Sequence, residues 1–251
     1  MTLDVIVAAR RRTRRRLTAA VLIGVGVLAA CVYPAGLYVN TRLDDAVSSS
    51  ATASVPAPLT SPAPASGWVL PADVGWVRVA GVDLPVSAAT GPAETVGGLA
   101  RGFARAPAGA VVAALHLLVR TTPQVGPAVF DPTLEAQVVG AHAAQMRRAV
   151  TADYTEAAAR TGVAYGQPLG DLSATVAGVR VDAYTDGQAS LSVLTSAVDA
   201  TGVTRFAATP VSLVWVGGDW RLVAPPDGRW DAQVRIVAPS LAGGYPPLRA
   251  G

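Results

Sequence analysis

Two histidines, His116 and His142, and one cysteine, Cys31, are the chain's whole supply of imidazole and thiol, and they stand far apart. Nitrogen- and sulfur-rich metal sites need three or four such groups converging, so no metal or other cofactor is expected. His116 is surrounded by Ala113, Leu115 and Leu117, the setting of a core histidine held by a single hydrogen bond. His142 opens a helical stretch and is expected at the surface. The sequence holds no G-x-S-x-G elbow, P-loop, Rossmann glycine fingerprint or H-E-x-x-H. Asp182 and Tyr184 share the outward phase of a strand, whereas Asp153 and Tyr154 are helical neighbours that cannot face one cavity together. Asp219 follows Gly217-Gly218, where a hairpin needs it for backbone geometry. No enzyme is expected, and catalytic, cofactor-binding and metal residues are all read as none.

Cys31 has a different chemistry open to it. Leu28-Ala29-Ala30-Cys31 is similar to the lipobox of bacterial lipoproteins, whose cysteine is acylated, and it follows a basic segment and an apolar run. The rival reading takes Leu17 to Val39, twenty-three residues without a charge, as an uncleaved transmembrane anchor, since about 20 apolar residues cross a bilayer. The apolar run continues for eight positions past Cys31, which favours the anchor; simple cleavage is the third reading. Pro34 would kink or end the helix. Arg10, Arg11, Arg12, Arg14, Arg15 and Arg16 precede the span and Asp44 and Asp45 follow it. By the positive-inside rule the N-terminus is then cytoplasmic and the C-terminal domain extracytoplasmic in the cell membrane.

Those six arginines also account for the formal charge of +3. Of the 20 basic residues, all arginine, fourteen remain beyond Asn40 against sixteen of the 17 carboxylates. The folded part is faintly acidic, which excludes a nucleic-acid partner of the usual basic kind. The bilayer is the first partner expected, with protein partners or self-association beyond it.

The elements behind the span follow from composition and period. Residues 1–16 form the basic tail, 17–39 the anchor and 40–66 a Pro/Ser/Ala-rich stalk that is extended and cannot build a core. Residues 67–106 are a lead-in of short β-like pieces packing on the domain, with Gly91–Phe103 at best a frayed helix. A domain over 107–228 opens with a helix from Pro107 to Arg120, apolar all round and therefore buried. Asp131-Pro132 predicts the N-cap and first position of a second helix. A third runs from about Ala141 to Thr161 on the stripe Met146, Val150, Tyr154 and Ala157/Ala158, with Gly162 as its stop. After Pro168 the period becomes 2. Gly178 predicts a bulge, Asp186-Gly187 a tight turn, Val203 to Val216 a long strand with Pro210 at a bend or edge, and Gly217-Gly218 a return into Asp219–Val223. Residues 229–251 read as a C-terminal tail, flexible or a docking peptide. Trp215 shares phase with Val211 and Leu213 and reads as core or pocket; Trp68, Trp76, Trp220 and Trp230 read as core or as an exposed interaction surface.

The run FARAPAGAVVAALHLLVRT, two further helices and strands ending VSLVWVGGDWRLVAP, with Trp215, Asp219, Trp220, Arg221 and Leu222 in the closing hairpin, resemble the nuclear-transport-factor-two-like (cystatin-like cone) fold. Behind the transmembrane helix and stalk, helices followed by four antiparallel strands joined by short turns spell an α+β domain, and the resemblance implies that the helices pack on a curved, cone-like sheet. In layout the chain is similar to the TcpC-type scaffold proteins of conjugation and type IV secretion, and to uncharacterised membrane proteins of actinobacterial mobile elements. The implied function is a non-enzymatic, membrane-anchored scaffold or interaction subunit. Docking is expected through the outer sheet face or the anchor. A small-molecule-binding domain, with a pocket between the sheet and the helix of residues 107–120, is the alternative, and an isomerase-like enzyme with a carboxylate or His116 opening into that pocket is the third reading.

Overall fold

The computed structural model describes residues 67–248. The arginine cluster, the Leu17–Val39 stretch, Cys31 and the stalk lie outside the described residues. Among the described residues, no helix is long and apolar enough to cross a membrane.

Two hairpins come first. β1 (Gly75–Val79) pairs with β2 (Val82–Val86), and β3 (Glu94–Val96) with β4 (Leu99–Arg101). The second replaces the helix expected over Gly91–Phe103. Gly97 and Gly98 take φ of +59° and +83°, the pair of left-handed residues a two-residue hairpin turn demands.

Helix α1 (Pro107–Arg120) starts with proline at its first position, and every residue from Gly109 to Arg120 is buried. A helix can be enclosed on all sides only if chain lies on all sides of it. Here the main sheet flanks α1 on one side and β2 and β4 on another. Helix α2 spans Pro127–Ala136 and corrects the expected start at Asp131. Gly126 at φ +79° turns the chain and Pro127 takes the first helical position, leaving Pro132 inside the helix, where it removes one intrahelical N–H. Helix α3 (Ala143–Thr161) buries Met146, Val150, Tyr154 and Ala158 and ends at left-handed Gly162, as its period requires.

The main sheet corrects the expected fold class. It has six strands, not four, and it is mixed. The central order is β5 (Val138–Val139), β9 (Asp219–Val223), β8 (Thr204–Val216), β7 (Gln188–Val198), β6 (Thr175–Tyr184), with β10 (Arg235–Val237) also pairing β8. β5 runs parallel to β9 and the other pairs are antiparallel. Strands of two and three residues are too short to register as a period, so β5 and β10 leave no alternation to read. Pro210 sits where β8 has β7 alone as neighbour, between the stretches paired with β10 and β9, a place that tolerates the missing donor.

β6 carries two bulges. The first falls between Val176 and Gly178, as the phase change requires, and the second between Val181 and Ala183. The second puts Tyr184 opposite Ala189 on the inner face, correcting its expected outward phase; Asp182 stays outside, bonded to Ser192.

The inner face of the sheet, with Val179, Val181, Leu191, Val193, Leu213 and Trp220, meets α1 in one continuous core. That core also takes Val82, Leu84, Phe103 and Trp230 from outside 107–228. The outer face carries the chain's own C-terminal segment. After β10 the chain makes a 3-10 turn (Pro239–Gly244) that contacts β8, then reaches β6, where Val179 N–H donates to Pro246 O at 2.9 Å. Leu194, on the outer phase of β7 and paired with Ala208, is only 1% exposed.

Candidate functional site

Four buried polar side chains, His116, Arg120, Gln137 and Asp219, are each bonded to backbone. His116 Nε2 lies 2.9 Å from Pro85 O in β2. A carbonyl can only accept, so Nε2 carries the proton and Nδ1 presents its lone pair. Nδ1 is buried with no hydrogen-bond partner, and the residue has no exposed surface. Burial pushes the His116 pKa down to about 4, with Arg120 adding to the fall and the bond to Pro85 opposing it. The ring is therefore neutral at pH 7 and enclosed by the protein. Phe103 lies against it, ring centroids 5.7 Å apart.

One turn along, Arg120 is also buried. Its Nη1 donates to Gly98 O at 2.9 Å, its Nε has no partner, and burial lowers its pKa. Arg120 lies in the last turn of α1, at the negative end of the helix dipole, which favours a cation. Gln137 Nε2 donates to Ala100 O at 2.7 Å, so α1 holds the β3–β4 hairpin at its turn and the residue after α2 holds it on β4. Sequence reading missed both roles. An arginine ending an uncharged fourteen-residue stretch was the available signal, since nothing beyond it is bound to be solvent.

Asp219 does more than shape a turn. Its carboxylate accepts from Gly102 N (3.0 Å), Phe103 N (3.1 Å) and its neighbour Trp220 N (2.9 Å). It fastens β9 to the segment entering α1. Beside it Trp220 is wholly buried, and its Nε1 donates to Ala104 O at 2.9 Å. Trp215 is half-buried and meets Trp220 edge-on, centroids 5.2 Å apart at 79°; Tyr184 also meets Trp220 edge-on, at 6.0 Å. The Arg105 guanidinium sits 5.4 Å over the Trp215 ring, and its Nε donates to Asp186 O at 2.6 Å. Such edge-on pairs add about 0.5–1.5 kcal/mol beyond area burial. The structure therefore joins Trp215 and Trp220, and the 102–104 segment lies between them and His116, with Ala104 O on Trp220 and Phe103 against the His116 ring.

The remaining tryptophans divide. Trp230 is buried, while Trp68 and Trp76 are half-buried. Trp68 Nε1 donates to Val179 O at 3.2 Å, so it too is structural. Asp153 pairs with Arg229, while Tyr154 donates to Gln167 O and accepts from Gly166 N; the two face apart, as helical neighbours must. On the outer face Asp182 accepts from Arg180 Nε and Ser192 Oγ, both at 2.6 Å, and Arg180 lies 4.7 Å over the Tyr245 ring. Among the described residues no group of three His, Cys, Asp or Glu side chains gathers as metal ligands.

No curated protein and no solved structure matches this chain. One family model matches residues 39–246, from the end of the uncharged stretch through the segment that crosses the outer sheet face. That match covers most of the sequence, and the chain belongs to the family described as a domain of unknown function, DUF8175.

Proposed function

We propose that the chain is a membrane-anchored scaffold or interaction subunit whose folded domain is held outside the cytoplasm and performs no catalysis. The observation carrying the proposal is the uncharged run Leu17–Val39 directly behind six arginines, which suits an anchor of fixed orientation. The domain is consistent with it. Asp219, His116, Arg120 and Gln137, the groups from which a site would be built, are each engaged with backbone that joins one part of the fold to another. The layout of basic tail, span, stalk and domain extends the proposal to a subunit of a conjugation or type IV secretion apparatus. The small-molecule reading has less in its favour, because the residues between α1 and the sheet are side chains packed in one core.

Protease added to intact cells tests the orientation. The domain is expected to be digested without lysis; protection until the cells are opened would overturn the proposal. Cys31→Ala in the same cells separates the two anchors. Unchanged membrane retention and no acyl label mean a helix, and loss of both means a lipoprotein held outside by its lipid.

A further inference from the structure

The face of α3 turned away from the core has a pattern that solvent alone does not require. Met146, Val150, Tyr154 and Ala158 point inward, and the opposite face carries Ala144, Arg148, Ala152, Thr155, Glu156 and Ala159, all exposed. Short side chains form the middle of this face and long ones its rims. The result is a shallow, open surface along the helix, where Thr151, Ala152, Thr155 and Ala159 lie together with Arg147, Arg148 and Glu156. A floor of alanine and threonine lets another helix approach to about 8 Å between axes.

The charges specify which helix. Arg148 lies four residues before Ala152 and Glu156 four residues after it. When two copies of α3 cross antiparallel about a twofold axis at Ala152, Arg148 of each copy falls opposite Glu156 of the other, twice over. Such an isologous contact needs one self-complementary surface, and this face has it. The neighbouring ions are already used within the chain: Arg147 with Glu135, Asp153 with Arg229, and Arg160 with one oxygen of Glu156. Arg148 takes part in no ion pair among the described residues, so it is the cation available to an incoming carboxylate, and the second oxygen of Glu156 is the matching acceptor.

We infer that the outward face of α3 docks α3 of a second copy of this chain, antiparallel, with Ala152 on the axis and reciprocal Arg148–Glu156 pairs. This names a partner for the scaffold reading and rests on it in one respect. A single helix pair is a small interface by the standard of stable dimers, and tethering both copies to one membrane raises their effective concentration.

The test traps the axis in the full-length chain in its membranes. In a Cys31→Ala background, Ala152→Cys should form a disulfide-linked dimer on mild oxidation, because a residue on the axis meets its own copy. Tyr165→Cys, exposed but off this face, should stay monomeric. Adding Arg148→Glu should lower the Ala152→Cys dimer yield at least tenfold, and Arg148→Glu with Glu156→Arg should restore it. In chain that fractionates with the membrane, no dimer at position 152, a yield indifferent to Arg148→Glu, or no recovery in the double reversal would each overturn the inference. Fractionation of the same cells reads the anchor separately, so losing the membrane location and losing the pairing are distinguishable results.

Discussion

The two faces of the main sheet are covered in different ways. The inner face lies under α1, a fourteen-residue helix whose side chains enter one apolar core. The outer face is crossed by irregular chain, held by the three-residue β10, by Val179 N–H on Pro246 O, and by Arg180 on the Tyr245 ring. Regions with few apolar contacts and exposed backbone bonds open at lower free energy than the core. Damage under the inner cover should therefore unfold the whole domain, whereas damage under the outer one should release a segment.

The largest effect is expected at Trp220, which joins the sheet to the start of α1. Trp220→Ala removes a wholly buried ring and its bond to Ala104 O and should destabilise by about 3–5 kcal/mol in urea unfolding. A loss under ~1 kcal/mol would mean that the inner cover is not the cooperative unit. Asp219→Ala comes next. It strips the acceptor from three N–H groups, two of them in buried surroundings, and should lower stability by about 3 kcal/mol. Asp219→Asn, which keeps one acceptor oxygen, should lie between the wild type and Asp219→Ala. Equal losses for Ala and Asn would show that charge, not hydrogen bonding, holds the entry to α1.

Protonation probes the same region from its far side. His116 titrates near 6.5 when unfolded and at about 4 when folded. Between those values the unfolded chain binds more protons, so stability is fully present above about pH 6.5 and is lost as pH falls toward 4. The difference amounts to about 3 kcal/mol at most. His116→Leu should be less stable at pH 7, through the orphaned Pro85 carbonyl, and should show a flatter profile across that window. An unchanged slope would assign the acid loss to other groups.

The inner half of this architecture was legible because it is written in periods. An uncharged run behind Pro107, a 3.6-residue stripe from Met146 to Ala158 and the alternation through β6–β8 each state what they bury. The errors arose where short or non-local features decide. Tyr184 changes face because one bulge at Asp182 undoes an alternation that otherwise reads cleanly. Pro132 marks a helix start in most sequences, but here Gly126 and Pro127 begin the helix five residues earlier. Asp219 reads as a turn residue since its partners, Gly102 and Phe103, lie more than a hundred residues upstream. The outer cover left no trace in sequence, because a strand of three residues and a proline-rich end look like a tail.

Gly178 offers the smallest and most discriminating perturbation of that outer cover. It lies on the outer phase of β6, opposite Leu194, and its backbone is not in the left-handed region, so an added methyl brings no conformational strain. A Cβ there would instead run into the backbone oxygens of Tyr245 and Pro246. β6 is fixed by its ladder with β7, so the chain near residue 245 must move. Gly178→Ala should therefore cost no more than about 1 kcal/mol in global unfolding, while the Val179 amide, now without Pro246 O, exchanges its proton faster. Amides of α1 should exchange as before. If the methyl instead lowered global stability as far as Trp220→Ala does, the strap would be part of the cooperative core, and the difference between the two faces would be one of shape alone.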